Sequence, residues 1–84
     1  VLEARAWLHL GEAYRALGDR RAALDAFTRS VRSAQSREQR VSALRALEQL
    51  ADMEESVGSY RVALGHWHAV RTLRDSVFNQ GAMQ

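Results

Sequence analysis

"GDRRAALDAF" occupies positions 18–27 and "GSYRVALGHW" positions 58–67. At an offset of forty, Gly18 returns as Gly58, Arg21 as Arg61, Ala23 as Ala63, Leu24 as Leu64 and Phe27 as Trp67. The residues ahead of each stretch keep the same register: Arg5 matches Arg45, Ala6 matches Ala46, Trp7 matches Leu47, Leu10 matches Leu50 and Gly11 matches Ala51. The repeat therefore spans a whole structural unit, and what that unit is follows from its local patterning.

Residues 2–17 place Leu2, Ala6, Leu10, Ala13 and Leu17 at three-to-four spacing, with Trp7 and Tyr14 on an adjacent stripe. This is the pattern of an amphipathic helix. Gly18 is suited to the left-handed position that ends such a helix, and Asp19 to the N-cap of the next. Ala23, Leu24, Phe27 and Val31 continue at helical spacing to about Gln35. Ser36 with Gln39 has the spacing of a capping box and opens a third helix, whose apolar stripe is Ala43, Leu47, Leu50 and Val57. Gly58 ends that helix and Ser59 caps a fourth, running through Tyr60, Ala63, Leu64, Trp67, Val70 and Leu73 to Phe78 or beyond. The expected helices are 2–17, 19–35, 37–57 and 59–80. The fold class is all-α: a first hairpin over 1–35, a second over 36–80 with an extended last helix, and a short tail or connector at 81–84. A repeated helical hairpin implies a solenoid, because one unit cannot bury its apolar face alone and stacks on its neighbour.

Composition agrees. The chain has 84 residues, 46% of them hydrophobic and 26% charged, which suits one small domain. There is no Pro to interrupt a helix, and no Cys, which excludes disulfides and thiolate metal sites. The longest apolar runs fall far short of the ~20 residues needed to span a bilayer. The chain opens at Val1 with no signal peptide in view and reads as a segment of a longer protein. All twelve basic residues are Arg, yet the net charge is only +2. The arginines are scattered among acidic residues, whereas a nucleic-acid binder gathers them on one face. Neither nucleic acid nor membrane is an expected partner of this segment, and the cytoplasm is the expected compartment.

The first unit resembles a tetratricopeptide repeat, whose pattern is W-x2-L-G-x2-Y, then G, then A-x3-F/Y. Trp7, Leu10, Gly11, Tyr14, Gly18, Ala23 and Phe27 stand at the family spacing. The second unit keeps Leu50, Gly58, Tyr60, Ala63 and Trp67, but has Leu47 for the Trp and Glu54 for the Tyr. The family's closing Pro is absent, and the period is forty, not thirty-four. Repeats of this longer period resemble those of bacterial signalling and regulatory proteins. The stretch "HWHAVRTLRDSVFNQ" (66–80) likewise resembles the end of repeat arrays in bacterial sensors, where Leu73, Arg74, Asp75, Ser76, Val77, Phe78 and Asn79 match a run leading to an output domain.

The resemblance implies a stacked pair of hairpins in which Gly11 and Ala51 let helices cross closely, Ala23 and Ala63 face them, and Trp7, Tyr14, Phe27 and Trp67 fill the core. It also implies that ligands lie against the first helix of each hairpin. Carried over, that face is Arg5, Leu8, His9, Glu12 and Arg15, then Arg45, Glu48, Gln49, Asp52 and Glu55. Glu48, Asp52 and Glu55 fall at i, i+4, i+7 and form one acidic stripe, which is either a solvated face or a groove for a basic or mixed-charge peptide. The Lys and Asn of a carboxylate clamp are missing from these places.

Chemistry is sparse. His66 and His68 are two apart, so on a helix they point about 200° from each other and cannot share one ion. His9 has no companion, no phosphate-cradling loop occurs, and the adjacent Glu54 and Glu55 diverge on a helix. The expected function is therefore a protein–protein interaction scaffold, non-catalytic in itself, with no cofactor or metal. Two alternatives remain: a sensory or dimerising segment of an enzyme such as a diguanylate cyclase or histidine kinase, or a regulatory segment of a transcription factor. Two repeats without polar end caps are also expected to self-associate as a homodimer, through Trp67, Val70, Leu73, Val77 and Phe78 of the last helix.

Overall fold

The computed structural model describes residues 3–78. They form four helices, α1 (Ala4–Ala16), α2 (Arg20–Ser33), α3 (Arg37–Ser56) and α4 (Tyr60–Phe78), and no strand. The expected boundaries hold to within three residues where they can be compared. Val1, Leu2 and residues 79–84, which include Asn79, the expected end of the fourth helix at 80 and the 81–84 tail, lie outside the described residues.

Both hairpins close by the same device. Gly18 and Gly58 adopt φ of 84° and 86°, a left-handed conformation that a Cβ would strain. At the first turn Gly18 N donates to Arg15 O (3.0 Å) and Asp19 N to Tyr14 O (2.9 Å). Forty residues on, Gly58 N donates to Glu55 O (3.1 Å) and Ser59 N to Glu54 O (2.9 Å). This paired pattern is a Schellman motif, which satisfies carbonyls left orphaned at a helix end. Asp19 then turns from closing α1 to opening α2, its Oδ1 accepting from Ala22 N at 3.1 Å. The capping box forms as well: Ser36 Oγ accepts from Gln39 N (3.2 Å), and Gln39 Oε1 accepts from Ser36 N (3.3 Å).

The helices stack in sequence, α1 on α2 and α3 on α4, with α3 also lying against both helices of the first hairpin. Among the described helices α4 has only α3 as its neighbour. The result is a slab of 43 × 30 × 16 Å. One hydrophobic cluster runs through both units: Leu8, Ala23 and Phe27 from the first, with Leu44, Ala46, Leu47, Leu50, Met53 and Val70 from the second. A polar tie locks α2 to the start of α1, where the fully buried Ser30 Oγ donates to Ala4 O at 2.7 Å.

The close crossing expected at Gly11 is present. A Cβ there would stand 2.6 Å from both Cδ1 and Cε1 of Phe27, whose side chain is fully buried. The second unit departs from this arrangement. Ala51 is fully buried, so its methyl group fills the space that Gly11 leaves for an aromatic ring. Trp67, expected in the core, is instead 38% exposed. Its indole Nε1 donates to Glu55 Oε1 at 3.1 Å. Trp7 and Tyr14 are half-buried, and the Arg29 guanidinium sits 5.0 Å from the Trp7 ring centre. Leu17 and Val57 fit their apolar stripes by spacing but are exposed, because both fall at the C-cap just before the turn glycine.

Candidate protein-interaction surface

The two first helices of the hairpins, α1 and α3, lie side by side and bring polar residues of both repeats onto one surface. Gln49 is its central link. Its Nε2 donates to Glu12 Oε2 at 2.9 Å, and its Oε1 accepts from Arg15 Nη1 at 3.2 Å. Arg15 Nη2 also donates to Asp52 Oδ2 at 2.6 Å. His9 Nδ1 lies 3.5 Å from Glu12 Oε1. These four contacts join His9, Glu12, Arg15, Gln49 and Asp52 across the seam between repeats.

The far edge of the surface runs onto α4. Arg74 Nη2 donates to Glu48 Oε2 at 2.8 Å, and Trp67 holds Glu55. Beside the first turn, Arg20 of α2 pairs with Glu54 of α3. Every carboxylate of the expected acidic stripe thus has a partner within the chain. The surface is one of mixed charge. The ion pairs are partly exposed, and pairs of this kind contribute about 0–1 kcal/mol each. A ligand can exchange them at little cost.

The remaining expected residues are less closely joined. Arg5 borders an open cleft between the N-terminal ends of α1 and α3, with Glu3, Ser36, Glu38, Gln39, Val41 and Ser42. Arg45 is exposed on α3. Leu8 does not belong to the surface, since it is buried in the core cluster. Arg74 and Arg20 were not expected there; the signal for Arg74 lies in hairpin register, which sets it opposite Glu48 once Trp67 is opposite Glu55, whereas Arg20 reaches Glu54 only through the stacking of α2 on α3.

The expected self-association face needs a sharper correction. Val70 and Val77 are buried, and with Ala63 they form the seven-residue spacing by which α4 packs on α3. Leu73 is half-buried against the core. Only Trp67 and Phe78 of that set are exposed, and the apolar residues that join them at the surface of α4 are Tyr60, Val62 and Leu64.

Among the described residues, no three His, Cys, Asp or Glu side chains gather as a metal site would require, and no helix is long and apolar enough to cross a membrane. Comparison with known protein families, with curated proteins and with solved structures finds no significant match.

Proposed function

We propose that this chain is a protein–protein interaction scaffold of the tetratricopeptide type, serving a signalling or regulatory protein of the bacterial kind its last helix resembles. The paired Schellman turns at an offset of forty and the Gly11–Phe27 crossing support the family reading, since these are the positions at which the repeat pattern demands Gly and an aromatic residue. One observation carries the functional reading: α1 and α3 merge polar side chains from two repeats into one surface across the Gln49 link. Such a surface can engage an extended or helical peptide through several side chains at once.

A displayed library of random dodecapeptides, selected against the purified chain, tests this. Enrichment of mixed-charge peptides is expected. Their binding should weaken in the double variant Asp52→Lys/Glu55→Lys, which gives up the Arg15 and Trp67 contacts at about 0–1 kcal/mol each and keeps its fold, as circular dichroism at the assay temperature verifies. A library that enriches nothing, or peptides that bind the variant equally well, would return the surface to the status of a solvated face.

A further inference from the structure

The internal repeat relates more than residues; it relates interfaces. On α2, the stripe Arg20, Leu24, Phe27 and Val31 is covered by the next hairpin. Phe27 is fully buried, Leu24 and Val31 pack against the core, and Arg20 pairs with Glu54 of α3. The same stripe on α4 is Tyr60, Leu64, Trp67 and Arg71, at i, i+4, i+7 and i+11. Among the described helices only α3 reaches it, at the Trp67 edge through Glu55, and Tyr60 remains 69%, Leu64 57% and Trp67 38% exposed.

The element that covers α2 is α3, and the residues it uses are identifiable. Ala46, Leu50 and Met53 are buried. Around the helix they fall between Gln49, which bonds to α1, and Glu54, which bonds to α2. Forty residues earlier, α1 carries Ala6, Leu10 and Ala13 between His9 and Tyr14. There Ala6 and Leu10 are only half-buried and Ala13 is exposed, with Leu17 beyond them 80% exposed. The first hairpin therefore presents the projecting half of the inter-repeat interface, and the second hairpin presents the receiving half.

From this we infer that a second copy of the chain docks head to tail, with its α1 seated in the groove between α3 and α4 as α3 is seated between α1 and α2. The contact is heterologous, so it leaves a free head and a free tail and extends beyond two copies. The joint is weaker than its internal model. Glu55 takes the place of Arg15 and faces His9 and Glu12 of the incoming copy, where Arg15 faces Gln49 and Asp52 within the chain. Apolar burial of Leu64 and Tyr60 against Leu10 and Ala13 drives the association. The inference rests on the repeat alone and stands apart from the peptide-binding proposal.

Analytical ultracentrifugation of the purified chain and two variants decides it. The mass of one chain is 9.5 kDa, and the weight-average mass of the unaltered protein should climb with concentration past twice that value. Leu64→Glu blocks the tail and Ala13→Glu blocks the head; both positions are exposed, and circular dichroism confirms that each variant keeps its helix content. Each variant alone should remain monomeric. An equimolar mixture should form a one-to-one dimer and nothing larger, since one good head meets one good tail. A protein that stays monomeric at high micromolar concentration overturns the inference. So does a dimer that survives Ala13→Glu, or a mixture of the two variants that fails to associate; the former would indicate a two-fold contact through α4.

Discussion

Two glycines on helices make opposite predictions for the same substitution. Gly11 lies within α1 and Gly65 within α4, and replacing a helix-interior Gly by Ala gains about 1 kcal/mol of intrinsic helix propensity in either place. At Gly65 a Cβ meets nothing within 4 Å. Gly65→Ala should therefore stabilise the protein by about 0.5–1 kcal/mol, raising the melting temperature by about 2–8 °C for a domain of this size. At Gly11 the added methyl group stands 2.6 Å from two ring carbons of Phe27, about 1 Å inside ordinary contact distance. The ring is fully buried and cannot swing into solvent, so α1 and α2 must separate or Phe27 must leave its rotamer. Overpacking of this kind costs typically about 1–3 kcal/mol, which equals or exceeds the propensity gain. Gly11→Ala should therefore lower stability by up to about 2 kcal/mol, or up to about 16 °C in melting temperature, in place of the gain at Gly65. Thermal and urea unfolding followed by circular dichroism give both values. Phe27→Leu made together with Gly11→Ala should cost less than the two single changes summed, since the clashing ring is then gone. A Gly11→Ala protein as stable as the Gly65→Ala protein would refute the close crossing and the packing built on it.

The other stability predictions separate buried from exposed members of the repeat. Phe27→Ala should cost about 3–5 kcal/mol, as full truncation of a buried aromatic does, whereas Trp67→Ala at the equivalent place should cost no more than about 2 kcal/mol because its ring is already partly in water. Equal losses in urea unfolding would mean that the two hairpins pack alike. Ser30→Ala should cost about 0.5–1.5 kcal/mol, because it removes a buried hydrogen bond to the Ala4 carbonyl, which keeps its own helical partner in α1; a loss below about 0.5 kcal/mol would show that water replaces the hydroxyl.

Much of the backbone was legible in the residues because it is decided locally. Gly-Asp and Gly-Ser mark turns that only a positive φ can make, and Ser36 with Gln39 closes a capping box within three residues. The repeat added one long-range contact, the crossing at Gly11. What escaped the reading depends on partners far apart in sequence. Ser30 reads as an ordinary polar residue on a helix, and only the approach of α2 to the start of α1 makes its hydroxyl a buried tie. The acidic stripe reads as unbalanced charge until hairpin register brings Arg74 and Trp67 to it, and the stacking of α3 on α1 brings Arg15. In α4 apolar residues fall on two adjacent stripes, Ala63–Val70–Val77 and Tyr60–Leu64–Trp67. Periodicity identifies both as apolar but does not say which one α3 covers.

The difference between the two hairpins follows from one methylene-sized change. With Gly at position 11, the Phe27 ring packs closely against α1 and is fully buried in the core. With Ala at position 51, that seat is filled, and the larger indole of Trp67 turns to the rim, where its N–H finds Glu55. The aromatic ring is not lost to the second unit; it is moved from the inside of the hairpin to its outer edge. Leu64 and Tyr60 flank it on the same stripe, at places where α2 has Leu24 and Arg20. Phe27 both fills the first hairpin and floors the seat of α3, whereas Trp67 surrenders the first task and keeps the second. The second hairpin is thus less tightly closed on itself and more apolar on its outer face. That trade is what a receiving surface requires, and a departure from the repeat pattern on α3, Ala51 for Gly, sets what α4 turns outward.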